Sequence, residues 1–221
     1  MPTADEFYTE SQRAFQKDHD SFKLANAVVD AIVSDDLDDK QTAFVESRDF
    51  FFLSTVNGHG EPSVSYKGGP VGVVRVVSPT QLVFPNYDGN GMFYSMGNTA
   101  ETGKVGLLFI DFETPNRLRI QGDASISKEP AFVDRFPGAN MVVKVDITSV
   151  FVNCARYIHK HQRLETSKYV PDEKGEQPFP AWKRIEAIQD ALPAKDQGRA
   201  GSEGGTISFD DYEDHVAKGT S

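Results

Sequence analysis

Cysteine is all but missing. Cys154 is the single one, so no intramolecular disulfide can form, and a reducing compartment, the cytoplasm, is the expectation. Cationic residues are in deficit: Lys and Arg number 23 against 33 Asp and Glu, for a net charge of −10. That balance argues against nonspecific binding to nucleic acid or anionic lipid, which both need net cationic surface. Long apolar runs are missing too, since nothing approaches the ~18 residues of a membrane span. The opening MPTADEFYTES has no cationic stretch leading into an apolar one, so no secretory signal is expected there. Aromatics are plentiful. Sixteen Phe and seven Tyr among 221 residues supply enough apolar area to offset the entropy of ordering one large domain.

Residues 1–49 have a helical period. Leu24, Val28, Ala31 and Ile32 recur at helix spacing, and SDDLDD (34–39) ends one helix and supplies N-caps for the next. That acidic run lacks the ligand alternation, central Gly and closing Glu of an EF-hand. From residue 50 the period falls to two. FFLSTV (51–56) and SVSYK (63–67) flank NGHGEP as a hairpin; VGVVRVV (71–77) and QLVF (81–84) flank SPT as another. KVGLLFIDFE (104–113), RLRIQGDASIS (117–127) and NMVVKVDITSVFV complete the set, with short helices expected at MFYSMGNTAE and near 129–136. Six or so strands joined by short turns predict a mainly β, α+β fold, an antiparallel β-barrel over 50–152. KVGLLFIDF is apolar on both faces, which predicts one face in the barrel and the other against a partner. Around this core stand a helical extension (1–49), a helical C-terminal segment (153–192, with CARYIHKHQR and AWKRIEAIQDAL as helices) and an acidic, mobile polar tail (193–221), all within a single domain.

Several familiar motifs fail on spacing. GNTAETGK (97–104) has five residues between its glycines where a phosphate loop has four, and Val105 stands where that loop needs a hydroxyl. GNGMFYSMG lies in no βαβ unit. His159 and His161, two apart, are poor joint metal ligands, so no metal site is expected. Cys154 has no clear base beside it. No nucleophilic triad is visible.

Residues 50–126 do carry an ordered series: FFLSTVNGHGEPSVSYKGG (51–69), VRVVSPTQLVFPNYDGNGMFYSMGN (74–98) and KVGLLFIDFETPNRLRIQGDASI (104–126), extended by NCARYIH (153–159). The series resembles the pyridoxamine 5′-phosphate oxidase-like, FMN-binding split-barrel superfamily. The resemblance implies a six-stranded antiparallel split β-barrel, FMN as cofactor and a homodimer with flavin sites at the subunit interface. It also implies an FMN-dependent oxidoreductase acting on a small molecule, with no dedicated catalytic triad. Alternatives are a non-catalytic flavin-binding or stress module, and a deazaflavin- or haem-binding split barrel.

The residues themselves suit a dianionic phosphate and a flat ring. Ser65, Tyr66 and Lys67 offer two hydroxyls and a cation just before two glycines. Asn90, Gly91, Met92 and Ser95 stand where a turn opens onto a helix, a place that presents N–H groups to anions. Oxidases proper place an Arg-Lys pair near Asn90–Gly91, and its loss here argues against strict vitamin B6 oxidase activity. Arg117 and Arg119 lie together on one strand face, and the resemblance puts them near the phosphate or ring edge. Trp182, the single tryptophan, is by itself an anchor for the C-terminal segment; the resemblance implies a further role, as a C-terminal residue reaching the flavin of the partner subunit.

Overall fold

The computed structural model describes residues 1–221. The chain forms two compact units, Met1–Thr166 with Val170–Gly175, and Ser167–Tyr169 with Glu176–Ser221.

In the first unit, α1 (Ala4–Phe7), α2 (Glu10–Asp18) and α4 (Asp39–Glu46) each begin at a capping box, set by Thr3, Thr9 and Asp38. The acidic run 34–39 is thus a break and a cap: Asp38 Oδ1 accepts the Gln41 N–H at 2.7 Å. Between them lie α3 (Phe22–Ile32) and the two-residue β1 (Val33–Ser34).

The strands are β2 (Phe50–Val56), β3 (Pro62–Gly68), β4 (Arg75–Ser78), β5 (Gln81–Asn86), β6 (Lys104–Asp111), β7 (Asn116–Ser127) and β8 (Met141–Val152). They pair in the order β3-β2-β6-β7-β8-β5-β4, with β1 added to β8, and every pairing is antiparallel. The end strands β3 and β4 do not pair with each other, so the sheet curls without closing. Phe51 of β2 meets Phe84 of β5 across the interior, ring centroids 5.0 Å apart. The fold is a split barrel with helical extensions.

Alternation assigns the two faces. Phe51, Leu53, Leu107, Phe109, Leu118, Ile120, Val143 and Val145 point inward and are buried. Part of the outer face is covered by helices: Phe132 and Val133 of α6 (Pro130–Val133) pack on Val83 and Val142, and Phe7 meets Phe151 edge-on at 5.5 Å. The outer face of β3, β2 and β6 has no helix on it. It carries Tyr66, Phe50, Phe52 and Phe112, with Phe50 stacked on both Tyr66 (5.3 Å) and Phe112 (5.9 Å).

The β7–β8 register shifts between Gln121 and Gly122, where Ser149 Oγ donates to Gln121 Oε1 at 2.9 Å. A Cβ at Gly122 would lie 2.5 Å from Val145 Cγ1 and 2.6 Å from the Asp146 carbonyl oxygen. Backbone on that side cannot yield cheaply. Gly122→Ala is therefore expected to destabilise the barrel by about 1–3 kcal/mol, read as a lowered melting temperature; an unchanged melt would show that the shifted register accommodates a methyl.

The C-terminal expectations need correction. Residues 153–163 form no helix: Asn153 and Cys154 supply oxygens to side chains of β7 instead. AWKRIEAIQDAL is two 3-10 turns, Ala181–Arg184 and Glu186–Ala191, bracketed by Pro180 and Pro193. The last stretch carries a 3-10 turn, Arg199–Gly201, and α7 (Phe209–Ala217), which Ser208 opens with a capping box to Asp211. Within this second unit Lys183 Nζ donates to Asp196 Oδ2 at 2.8 Å, both side chains buried. The Arg184 guanidinium donates to the carbonyls of Gly204 and Gly205.

Candidate functional site

A strand sends neighbouring side chains to opposite faces, and this divides SYK. Ser65 and Lys67 pair with Leu53 and Phe51 and share their inward face; Tyr66 pairs with Phe52 and points outward, 62% exposed.

On the inward side β3 meets α5 (Tyr94–Thr102). Ser65 Oγ and Ser95 Oγ share a hydrogen bond of 2.8 Å, so the two stretches the sequence singled out do converge. One turn further on, Asn98 is buried and donates to Thr55 Oγ1 at 3.0 Å and Ser63 Oγ at 3.4 Å, pinning the helix to the hairpin. Glu101 closes the far end by accepting the Gly58 N–H at 2.8 Å. Lys67 stands two residues from Ser65 on this face. It is half-buried, burial alone holds its ammonium below the ordinary lysine value, and it has no acceptor.

The turn before α5 places the other residues. Asn90 Oδ1 accepts the Met92 N–H at 3.1 Å, Gly91 takes φ 79°, and Met92 is exposed. Phe93, the N-cap, takes φ 49° and ψ 28° and offers no capping oxygen. A left-handed conformation is costly for an aromatic residue. It leaves the first-turn N–H groups of α5 without a side-chain cap, next to Ser95. Asn98, Thr55, Ser63 and Phe93 were not singled out from sequence. The first three look like ordinary strand and helix polar residues until the hairpin and helix are docked.

The arginines lie elsewhere. Arg119 pairs with Leu108, which pairs with Phe52, which pairs with Tyr66, so one outward row runs from Tyr66 to Arg119 across three strand spacings, about 14 Å. Arg117 lies two residues along the same face. Arg117 Nη2 donates to the Cys154 carbonyl at 2.9 Å, and Arg119 Nη1 donates to Asn153 Oδ1. Burial, then the neighbouring Arg117, lowers the Arg119 pKa. Within one chain, Lys67 and the arginine pair are thus on opposite faces of the sheet. Trp182 belongs to the second unit, in the turn Ala181–Arg184, with the Lys183 ammonium 5.6 Å from its ring centroid.

An inward cation with no acceptor, a hydroxyl pair and an uncapped helix start make a place fit for an anion on a split barrel. A family model described as pyridoxamine 5′-phosphate oxidase matches residues 37–154, more than half of the chain, and the protein belongs to that family. Among solved structures, the chain is similar to HupZ of Group A Streptococcus: 18% identity over 52% of this chain and 94% of that one, TM-score 0.43. It is also similar to an FMN-binding protein from Syntrophomonas wolfei, with 14% identity, 65% and 97% coverage and a TM-score of 0.41. A third likeness is to HutZ, the heme storage protein from Vibrio cholerae, with 18% identity, 53% and 94% coverage and a TM-score of 0.40. No curated protein matches the sequence.

Proposed function

We propose that the protein is an FMN-binding flavoprotein of the cytoplasm, working as a homodimer and as an oxidoreductase on a small molecule. The observation that carries this reading is the Lys67 ammonium, half-buried on the inward face with no acceptor, beside the Ser65–Ser95 hydroxyl pair. A half-buried cation without a partner loses part of its hydration and gains nothing in return; a phosphate dianion would reverse that balance.

The residues fit such a group. Lys67 would supply charge, Ser65 and Ser95 hydroxyl donors, and the uncapped first turn of α5 backbone N–H donors. When bound, FMN would supply two-electron transfer through its ring. The chain's own part would be to hold the phosphate, to orient the ring and to exclude water from it. The Asn90–Gly91 turn adds no cation, so Lys67 carries the cationic share on this face. Tyr66, Phe50, Phe52 and Leu108 form the uncovered aromatic and aliphatic face, which suits an isologous contact with a second copy at which the flavin sites are enclosed.

The test is the absorbance spectrum of the purified protein, repeated after addition of FMN and desalting. Retained flavin bands at roughly one FMN per chain are expected, as for any tightly held cofactor. A protein that emerges free of flavin, or that carries a Soret or deazaflavin spectrum instead, would overturn the reading.

A further inference from the structure

Two Asn-Gly steps occur in the chain, Asn57–Gly58 and Asn90–Gly91. Such a step is chemically weak, because glycine has no Cβ to keep its backbone nitrogen away from the preceding side-chain amide. The fold protects one step and leaves the other open. In the β2–β3 turn the Gly58 N–H donates to Glu101 Oε2 at 2.8 Å, and Asn57 Nδ2 donates to Glu61 Oε2 at 2.8 Å. Asn57 Oδ1 accepts the N–H groups of His59 and Glu61, both at 3.0 Å, and a Cβ at Gly58 would run into the Glu101 carboxylate. Nitrogen and amide are both anchored, and moving one onto the other would break these bonds. Asn90 and Gly91 are exposed, in the irregular stretch between β5 and α5. The Gly91 N–H donates to no backbone carbonyl, and nothing stands within 4 Å of where a Gly91 Cβ would be. The Met92 N–H donates to Asn90 Oδ1 at 3.1 Å. That bond draws electrons from the amide carbon, as an oxyanion donor does, and does not engage the amide nitrogen.

We propose that Asn90 is a site of spontaneous deamidation, and that its conversion disables the anion site beside it. The Gly91 nitrogen gives up its proton to solvent and bonds to the Asn90 side-chain carbonyl carbon. The bond from that carbon to Nδ2 breaks, and ammonia leaves with a proton taken from water. Water then opens the resulting succinimide to aspartate or isoaspartate. Nothing is oxidised or reduced, and water is the sole co-reactant. The product carries a new carboxylate in the turn that leads into α5, where the N-cap residue offers no capping oxygen to the first-turn N–H groups. A carboxylate there would take those donors itself and repel a dianion from them. This effect on binding rests on the flavin reading above; the modification itself does not.

The flavin-free full-length protein is held at physiological temperature and mildly alkaline pH, then sampled for intact mass, peptide mapping and enzymatic methylation of isoaspartate. A mass gain of about 1 Da is expected, mapped to residue 90, with Asn57 in the same molecule converting at least about tenfold more slowly. The mass gain separates this reaction from isomerisation at Asp88–Gly89, which leaves the mass unchanged. Asn90→Gln, whose longer side chain must close a larger ring, should show no gain at that position over the same period. The converted protein and Asn90→Asp should each bind FMN about tenfold more weakly than fresh protein. No mass gain at Asn90, equal conversion at Asn57, or the same gain in Asn90→Gln would overturn the modification site. Full FMN affinity in the converted protein would overturn its effect on binding. Failure of fresh protein to bind FMN would remove the flavin reading and that effect with it, while mass and isoaspartate still decide the site.

Discussion

Asp196→Ala is expected to destabilise the C-terminal unit by about 3–5 kcal/mol, the range for breaking a buried ion pair from one side. Lys183 and Asp196 are 2.8 Å apart with side chains 4% and 3% exposed, so removing the carboxylate takes the acceptor at that distance from a desolvated ammonium beside the Trp182 ring. Arg199, whose guanidinium stands 3.7 Å from the other Asp196 oxygen, would lose the same partner. Replacing both members, Lys183→Met with Asp196→Leu, is expected to cost much less, because a buried pair and a well-packed apolar pair are similar in net stability. Urea unfolding followed by tryptophan fluorescence checks both, since Trp182 is the single tryptophan and adjoins Lys183. Equal losses in the single and double variants would show that packing, and not charge, holds this unit.

Lys67→Ala is expected to weaken FMN binding by about 1.5–3 kcal/mol, as for loss of a charged hydrogen bond, which is roughly 10- to 150-fold in Kd. Unchanged affinity would take Lys67 out of the site. The flavin-free protein should respond in the opposite sense. Burial lowers the Lys67 pKa from the ordinary 10.5, so the unfolded chain binds this proton more tightly than the folded one. The resulting penalty is full below the lowered pKa and is gone by the time pH exceeds the ordinary value. Flavin-free wild type should therefore gain stability relative to Lys67→Met as pH rises toward that value, and saturating FMN should abolish the difference.

Much of this was legible in the sequence because strands advertise their faces. The alternation Leu118, Ile120 against Arg117, Arg119 identified both the buried and the charged side of β7, and the structure keeps it. The same alternation separates Tyr66 from Lys67, although their adjacency in the chain suggested one cluster. Docking was not legible: Ser65 and Ser95 are thirty positions apart, and only the packing of α5 on the β2–β3 hairpin brings their hydroxyls together. Nor does any pattern announce the left-handed Phe93. Residues 153–163 misled because their mixed polarity suits a helix, whereas Asn153 and Cys154 are engaged by the two arginines. The capping box at Ser208–Asp211 was in plain view in SFDD, and the polar composition around it drew attention away.

The order of strand pairing bears on how the chain is made. β8 is the hub of the sheet, flanked by β7 and β5 and extended by β1, with Val33 opposite Phe151. Hairpins β2–β3, β4–β5 and β6–β7 can form as each leaves the ribosome, and β2 can already pair with β6, but the β4–β5 ribbon cannot join the rest until β8 has been synthesised. Until then β5 keeps an unpaired edge, and the loop closures that join it are long-range ones whose entropy must be met first. Until then the nascent chain holds two separate pieces, β3-β2-β6-β7 and β5-β4, and the strand that makes them one sheet is the last to arrive.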